Sequence, residues 1–210
     1  MSAAQMRVTR GWLLVAIVAL AGCASRPTVP GTGIDWAQRA DYLAQLPGWE
    51  ASGRIAVKSG ADGGQGSIRW VQQGANVRIA LRGPFGAGAW QIDWTDDDLV
   101  VTGKAGEVTH AYAGPDAVER FLTDQLGWSF PARSTRYWIL GVADPRFANR
   151  AKFDADGWLI ALEQNGWVVS YDRFVAEQGR WMPRKIIMEN EQARVKLIVD
   201  QWRLNFASLD

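Results

Sequence analysis

Apolar residues along this chain change their spacing twice, and each change marks a change of element. Residues 35–46 carry Trp36, Ala40, Leu43 and Leu46 at helical spacing, with Asp35 placed to cap the start and Pro47-Gly48 to stop it. From Trp49 the period becomes two. Trp49 to Ser59 has Ile55 and Val57 on one side against Arg54 and Lys58 on the other, and residues 66–72 set Ile68 and Trp70 against Ser67 and Arg69. Between them, Ser59 to Gly66 reads as a glycine-rich turn region. Residues 76–82 oppose Val77, Ile79 and Leu81 to Arg78 and Arg82, and a fourth apolar row, Trp90, Ile92 and Trp94, faces Gln91 and Asp93. Four alternating strands in succession predict an antiparallel sheet with one wet face.

Residues 99–102 and 106–112 add two strands, with Asp96-Asp97-Asp98 as the hairpin turn before them. Gly114-Pro115-Asp116 then opens a helix whose apolar stripe is Val118, Phe121, Leu122 and Leu126. A second helical piece follows Phe130-Pro131 and runs through Tyr137, Trp138, Ile139 and Leu140 to Gly141. Strands return over 151–153, 158–163, 167–171, 182–189 and 194–204, with Asp156-Gly157 and Asn165-Gly166 as hairpin turns. The expectation is a mainly β domain of ten or eleven strands with helices in two places and no repeat of fixed length.

The start of the chain is built differently. Arg7 and Arg10 precede an apolar run from Trp12 to Leu20, and small residues Ala21 and Gly22 follow, which is a signal peptide's layout. The run is well short of the roughly 20 residues a membrane-spanning helix needs. Leu20-Ala21-Gly22-Cys23 resembles the bacterial lipobox. That resemblance implies cleavage before Cys23, then a diacylglycerol and an N-linked acyl chain on Cys23 itself. Residues 1–22 are thus expected to be removed, residues 23–34 to form a flexible tether rich in Ser, Pro, Thr and Gly, and residues 35–210 to form one domain. With Ala24 rather than aspartate after the cysteine, the resemblance to Gram-negative sorting rules favours the outer membrane. At about 0.8 kcal/mol per buried methylene, two or three acyl chains hold a protein on a bilayer permanently, so the domain needs no tight membrane affinity of its own.

A lipidated Cys23 also narrows the chemistry, because it is the only cysteine and no thiol remains for a disulfide, zinc or nucleophilic attack. His110, the only histidine, lies in a strand with no serine nucleophile motif or metal-ligand spacing nearby. No G-x-x-x-x-G-K phosphate loop is present. A non-enzymatic monomer without cofactor or metal is the expectation, although carboxylates brought together only by folding stay open as a hydrolase's pair. The chain has 23 Lys and Arg against 22 Asp and Glu, and losing Arg7 and Arg10 leaves 21 against 22. A net charge of about −1 implies neither nucleic acid nor an anionic membrane surface. Eleven of the twelve tryptophans follow Cys23. That excess suits a lined cavity, a carbohydrate platform, a membrane-interface belt or a bulky β core.

One loop is out of character. Gly83-Pro84-Phe85-Gly86-Ala87-Gly88-Ala89 carries no charge, and Phe85 stands at its apex where a turn in water usually has polar residues. Either the loop folds back to bury Phe85, or its tip meets something apolar such as a bilayer.

These pieces in this order resemble the LolB family, outer-membrane lipoproteins that accept other lipoproteins from the periplasmic carrier LolA. The residues that carry the resemblance are the lipobox at Cys23, Leu46-Pro47-Gly48-Trp49 leading into Gly53-Arg54-Ile55-Ala56-Val57, Gly83-Pro84-Phe85-Gly86, Tyr137-Trp138-Ile139-Leu140-Gly141, and Val195-Lys196-Leu197-Ile198-Val199 with Trp202. The resemblance implies an incomplete antiparallel β-barrel of about eleven strands, with a helical lid over an apolar cavity that takes acyl chains without ATP. Partners would be LolA, acylated lipoprotein cargo and outer-membrane lipid. Gly83, Pro84, Phe85 and Gly86 would form the membrane-insertion loop; the family's tip residue is typically leucine, and here it is Phe85. Strand parity and lid position give the cavity candidates: Trp70, Trp90, Trp94, Trp138 and Trp158, with Ile55, Val57, Ile79 and Leu81 as neighbours. An envelope module binding glycan or a protein partner is the alternative, with the tryptophans as sugar platforms.

Overall fold

A computed structural model describes residues 28–84 and 88–204. Helix α1 spans Trp36–Ala44, and Asp35 caps it by accepting a 2.7 Å hydrogen bond from the Gln38 N–H. Six strands follow: β1 Gly48–Ser59, β2 Asp62–Gln73, β3 Asn76–Arg82, β4 Ala89–Trp94, β5 Asp98–Thr102 and β6 Val108–Ala113. After α2 (Ala117–Leu126) and α3 (Ala132–Trp138) come β7 Arg150–Phe153, β8 Leu159–Gln164, β9 Trp167–Glu177, β10 Arg180–Glu189 and β11 Ala193–Leu204.

All eleven strands form one antiparallel sheet in the order β6-β5-β4-β3-β2-β1-β11-β10-β9-β8-β7, open between β6 and β7. Only β1 with β11 pairs strands distant in sequence; every other neighbour comes from a hairpin or from the next strand along. Register extends the period-two pattern across the sheet. Ile79, for example, lies between Trp70 and Ile92, and Ile92 opposes Val101. One face is therefore apolar from strand to strand, and all three helices sit over it. On α1, Trp36 packs against Phe153 and Phe174; on α2, Phe121 packs against His110 and Tyr112; and Trp138 of α3 is held from β8 and β9.

Four sequence expectations change. The expected turn over Ser59 to Gly66 shrinks to Gly60-Ala61, and residues 62–66 are strand, since Lys58, Val57 and Ile55 pair with Gly63, Gly64 and Gly66. Glycines at strand positions reflect close approach here. A Cβ on Gly53 would stand 1.9 Å from the Ile198 carbonyl oxygen, and one on Gly66 2.2 Å from that of Arg82. Only glycine lets the neighbouring backbone bend over the apolar face at these points, beside a register shift at Ser52/Gly53 that sharpens the curl. Second, β9 runs on past Tyr171 to a turn at Gln178-Gly179, both at positive φ. Third, α3 ends at Trp138, and Ile139 to Gly141 form a turn closed by Gly141 at φ 72°. Fourth, the loop between β7 and β8 is longer than a two-residue turn: Asp154 accepts from the N–H groups of Asp156 and Trp158.

Candidate functional site: the apolar concave face

The concave face has a filled part and an open part. The filled part is a chain of indoles: Trp49 lies 5.8 Å from both Trp70 and Trp202, and Trp70 lies 5.6 Å from Trp94. All four are buried. The open part lies toward the other ends of β1 to β4, where Ile55, Val57 and Leu81 are only half-buried and Trp90 is 47% exposed. Ile55 faces Gly66 and Val57 faces Gly64 across the ladder, and neither glycine offers a side chain to fill the space. Beyond them Ile68 pairs with Leu81, which pairs with Trp90. The result is a shallow apolar mouth with a glycine floor on β2, and it leads to the tryptophan-filled interior.

Seven of the nine cavity candidates share this face: Ile55, Val57, Leu81 and Trp90 at the mouth, Trp70, Ile79 and Trp94 beneath it. Trp138 and Trp158 stand elsewhere. Trp138 has no accessible surface and donates its indole N–H to Gln164 Oε1 at 2.8 Å. Trp158 stacks on Phe174 at 5.3 Å and meets Trp181 edge-on at 5.2 Å. Gly83 and Pro84 close β3 at the mouth's end of the sheet, whereas Phe85, Gly86 and Cys23 lie outside the described residues. Sequence reading missed Gly64 and Gly66; their alternation with Gln65 was the available signal, because glycine at every second position empties one face of a strand.

Helices α1 and α3 are fixed over the face by two buried polar groups. Arg39 of α1 is buried, and its guanidinium donates to the carbonyls of Gly141 (2.9 Å), Leu140 (2.7 Å) and Trp181 (2.8 Å) while lying over the Trp36 ring. Desolvation lowers its pKa to about 10, so it stays a cation at neutral pH. Burial holds the nearby Tyr171 phenol well above its ordinary value, and this neutral hydroxyl donates to the Trp138 carbonyl at 2.9 Å.

Asp144 is the second anchor. It is fully buried and accepts from Ser134 Oγ at 2.7 Å and from Arg146 Nε and Nη2 at 3.0 and 2.7 Å. Its backbone N–H donates to Gln164 Oε1, and its carbonyl accepts from Gln164 Nε2, both at 2.9 Å. Burial alone would raise its carboxyl pKa, but the hydrogen bonds from Arg146 and Ser134 outweigh it and hold the group below the usual carboxylate range. An aspartate so depressed contributes stability that is complete above about pH 4 and fades as pH falls through the folded-state value. Asp144→Asn is expected to cost about 2–3 kcal/mol at pH 7. It should also flatten the loss of stability below pH 4, measured by urea unfolding at several pH values; parallel pH curves for variant and wild type would assign the depressed carboxyl to other groups.

The titratable groups near this face have structural surroundings. Among the described residues no three His, Cys, Asp or Glu side chains come together as a metal site. His110 packs its ring against Phe121, and Asp96 to Asp98 form the turn into β5.

A family model described as outer membrane lipoprotein LolB matches residues 47–202, which includes every strand but the last two residues of β11. The chain belongs to the LolB family. The outer-membrane lipoprotein LolB of Pseudomonas fluorescens is 32% identical over 196 residues, covering 89% of this chain and 91% of that protein. The LolB of Chromohalobacter salexigens is 31% identical over 208 residues, covering 96% and 92%. Among solved structures, a LolA superfamily protein from Nitrosomonas europaea shares the fold at a TM-score of 0.51 and 11% identity, covering 82% of this chain and 94% of its own. A DUF1329 family protein from Desulfovibrio piger does so at 0.53 and 10%, covering 83% and 92%. The LolB family and these neighbours thus agree on a mainly β, open antiparallel sheet with a few helices.

Proposed function

We propose that this protein is an outer-membrane-anchored receptor that takes acylated lipoproteins from a LolA-type carrier on its concave face and passes their acyl chains to the membrane. One observation carries the reading: a continuous apolar face, roofed by three helices, left open at Ile55, Val57, Leu81 and Trp90 above Gly64 and Gly66. Such a mouth accepts a flexible hydrocarbon chain and offers no polar group to orient anything else. Lipid on Cys23 would serve as the anchor, with a tether shorter than the expected residues 23–34 because Thr28 bridges to Asp35 and Val29 is buried in the core, and Gly83, Pro84, Phe85 and Gly86 would form the tip that meets the bilayer. The outer membrane is where relatives bearing the LolB name are placed by that name.

Energetics favour a passive hand-over. Each methylene in water costs about 0.8 kcal/mol, so cargo must move between sheltered sites without exposure. A face that holds acyl chains better than the carrier and less well than bilayer makes both steps downhill, with no nucleotide needed. A shallow mouth over a tryptophan-filled interior suits such intermediate affinity, because only part of a chain is covered. The alternative of a glycan platform has less support: sugar stacking needs flat exposed rings, and Trp49, Trp70, Trp94 and Trp202 cover one another.

The test is direct. Processed protein mixed with cargo-loaded LolA-type carrier is expected to take up the lipoprotein and, when liposomes are added, to release it into them. Cargo remaining on a carrier that still discharges to other acceptors would sink the proposal.

A further inference from the structure

A net charge near zero conceals a strong segregation. Adjacent strands β11, β1, β2 and β3 carry Arg54, Lys58, Arg69, Arg78, Arg82, Arg194, Lys196 and Arg203 against Glu50, Asp62 and Asp200. Because the concave positions of these strands are apolar, the basic side chains project from the outer face. Five of them have carboxylate partners: Arg54 with Asp200, Arg69 and Arg203 with Glu50, Arg78 with Asp93, and Arg194 with Glu189. Lys58, Arg82 and Lys196 have none among the described residues, and all three are exposed.

Arg82 ends β3 beside the loop that follows, Lys196 lies three strands away on β11, and Lys58 lies further along β1, opposite Gly63 and Arg194. Lys196 pairs across the ladder with Ala56, Arg82 pairs with Ser67, and Arg54 pairs with Ser67 from the other side. Arg54, Ala56, Ser67 and Lys196 line a depression of about 480 Å³ that also touches Ile55 and Gly66 and ends at Gly83-Pro84, while Lys58 and Arg82 stand outside it. From β11 to β3 the cations span three strand spacings, about 14 Å at the usual 4.8 Å.

We propose that this outer face docks on the phosphates of anionic phospholipid headgroups, with Lys58, Arg82 and Lys196 as the contact cations. The proposal rests on the receptor reading only for the membrane contact made by the residues after Pro84. A protein partner would need buried aromatic or arginine anchors in a packed core. This surface instead has a floor of small residues and cations without fixed partners, which suit a mobile array of headgroups. The paired arginines nearby keep the attraction modest, as a protein already held by lipid requires. Pro84 places the patch next to the loop, so the same approach that brings the loop to the bilayer brings the cations to its phosphates.

The experiment uses the processed chain from residue 23 with Cys23→Ala, so that no acyl anchor masks weaker contacts. Partition is measured on phosphatidylcholine vesicles with and without phosphatidylglycerol. Neutralising one cation at such a surface lowers binding by about fivefold at low salt. The triple variant Lys58→Gln, Arg82→Gln, Lys196→Gln is therefore expected to lose on the order of 100-fold on anionic vesicles, to lose most of its salt dependence, and to match wild type on neutral ones. Thermal melting checks that the fold is intact. Wild-type partition by the triple variant on anionic vesicles overturns the proposal, as does an equal loss on both vesicle types. Normal partition with cargo uptake from carrier lost in membrane-free solution overturns it too, and assigns the face to an acidic protein. If wild-type protein takes no cargo at all, the receptor reading fails while the partition result still stands.

Discussion

Replacing Arg39 with alanine is expected to destabilise the domain by about 3 kcal/mol or more, since three buried carbonyls lose their donors at about 1–3 kcal/mol each. The guanidinium joins α1 to the end of α3 and to β10 by donating to three carbonyls, and its flat face fills the space over Trp36. Alanine leaves those carbonyls without their donors in a dry site and opens a cavity. Lysine should rescue little: a single ammonium cannot reproduce the fork that reaches Leu140, Gly141 and Trp181 together. Methionine, which restores volume without donors, separates packing from hydrogen bonding. The measurement is the urea midpoint at constant m-value. A loss under about 1 kcal/mol for the alanine variant would mean that water takes over the carbonyls and that α1 is held by its apolar contacts alone.

Arg39 also shows why some of the structure was legible from sequence and some was not. A two-residue period is local information, and it placed Val77, Ile79 and Leu81 on one face before any partner strand was known. Turn chemistry is local too: Asn165 and Gly166 adopt φ of 53° and 75°, the backbone their sequence favours. What failed was anything decided by approach in space. Helical spacing on α1 selected Trp36, Ala40 and Leu43, yet the buried set is Trp36, Arg39 and Leu43, because carbonyls from two distant elements converge on the arginine. Nothing next to Asp144 in the sequence marks it for burial, because its network depends on Gln164, twenty residues away on β8.

The candidate site divides the same way. Parity put Trp70, Trp90 and Trp94 on one face correctly, but the curl of the sheet decides that Trp70 and Trp94 are covered while Trp90 is exposed. Curl comes from close backbone approach at Gly53 and Gly66, which in sequence are a position inside the first strand and the end of a glycine-rich turn. Net charge hides the distribution of charge for a related reason. Summation over the chain averages a basic outer sheet against acidic residues elsewhere, and pairing of β1 with β11 is what sets Lys58 opposite Arg194, two residues from Lys196.

Phe85→Glu is expected to leave uptake from the carrier near wild type and to slow delivery into liposomes by at least tenfold. Uptake on this reading uses the mouth at Ile55, Val57, Leu81 and Trp90, whose side chains belong to the strands rather than to the loop tip. Delivery needs the tip to enter the apolar edge of a bilayer. Burying a phenylalanine contributes roughly 1.5–3 kcal/mol, and losing it accounts for about a tenfold to hundredfold change in the population of the membrane-touching state. A glutamate goes further, since its charge must be desolvated or kept out of the membrane altogether. Phe85→Leu preserves apolar character in a different shape and should deliver at close to the wild-type rate. Delivery by Phe85→Glu at the wild-type rate would remove the tip from the mechanism. Loss of delivery in both variants would show that the aromatic shape itself is required, whereas loss of uptake in Phe85→Glu would place the loop at the carrier contact instead of the membrane.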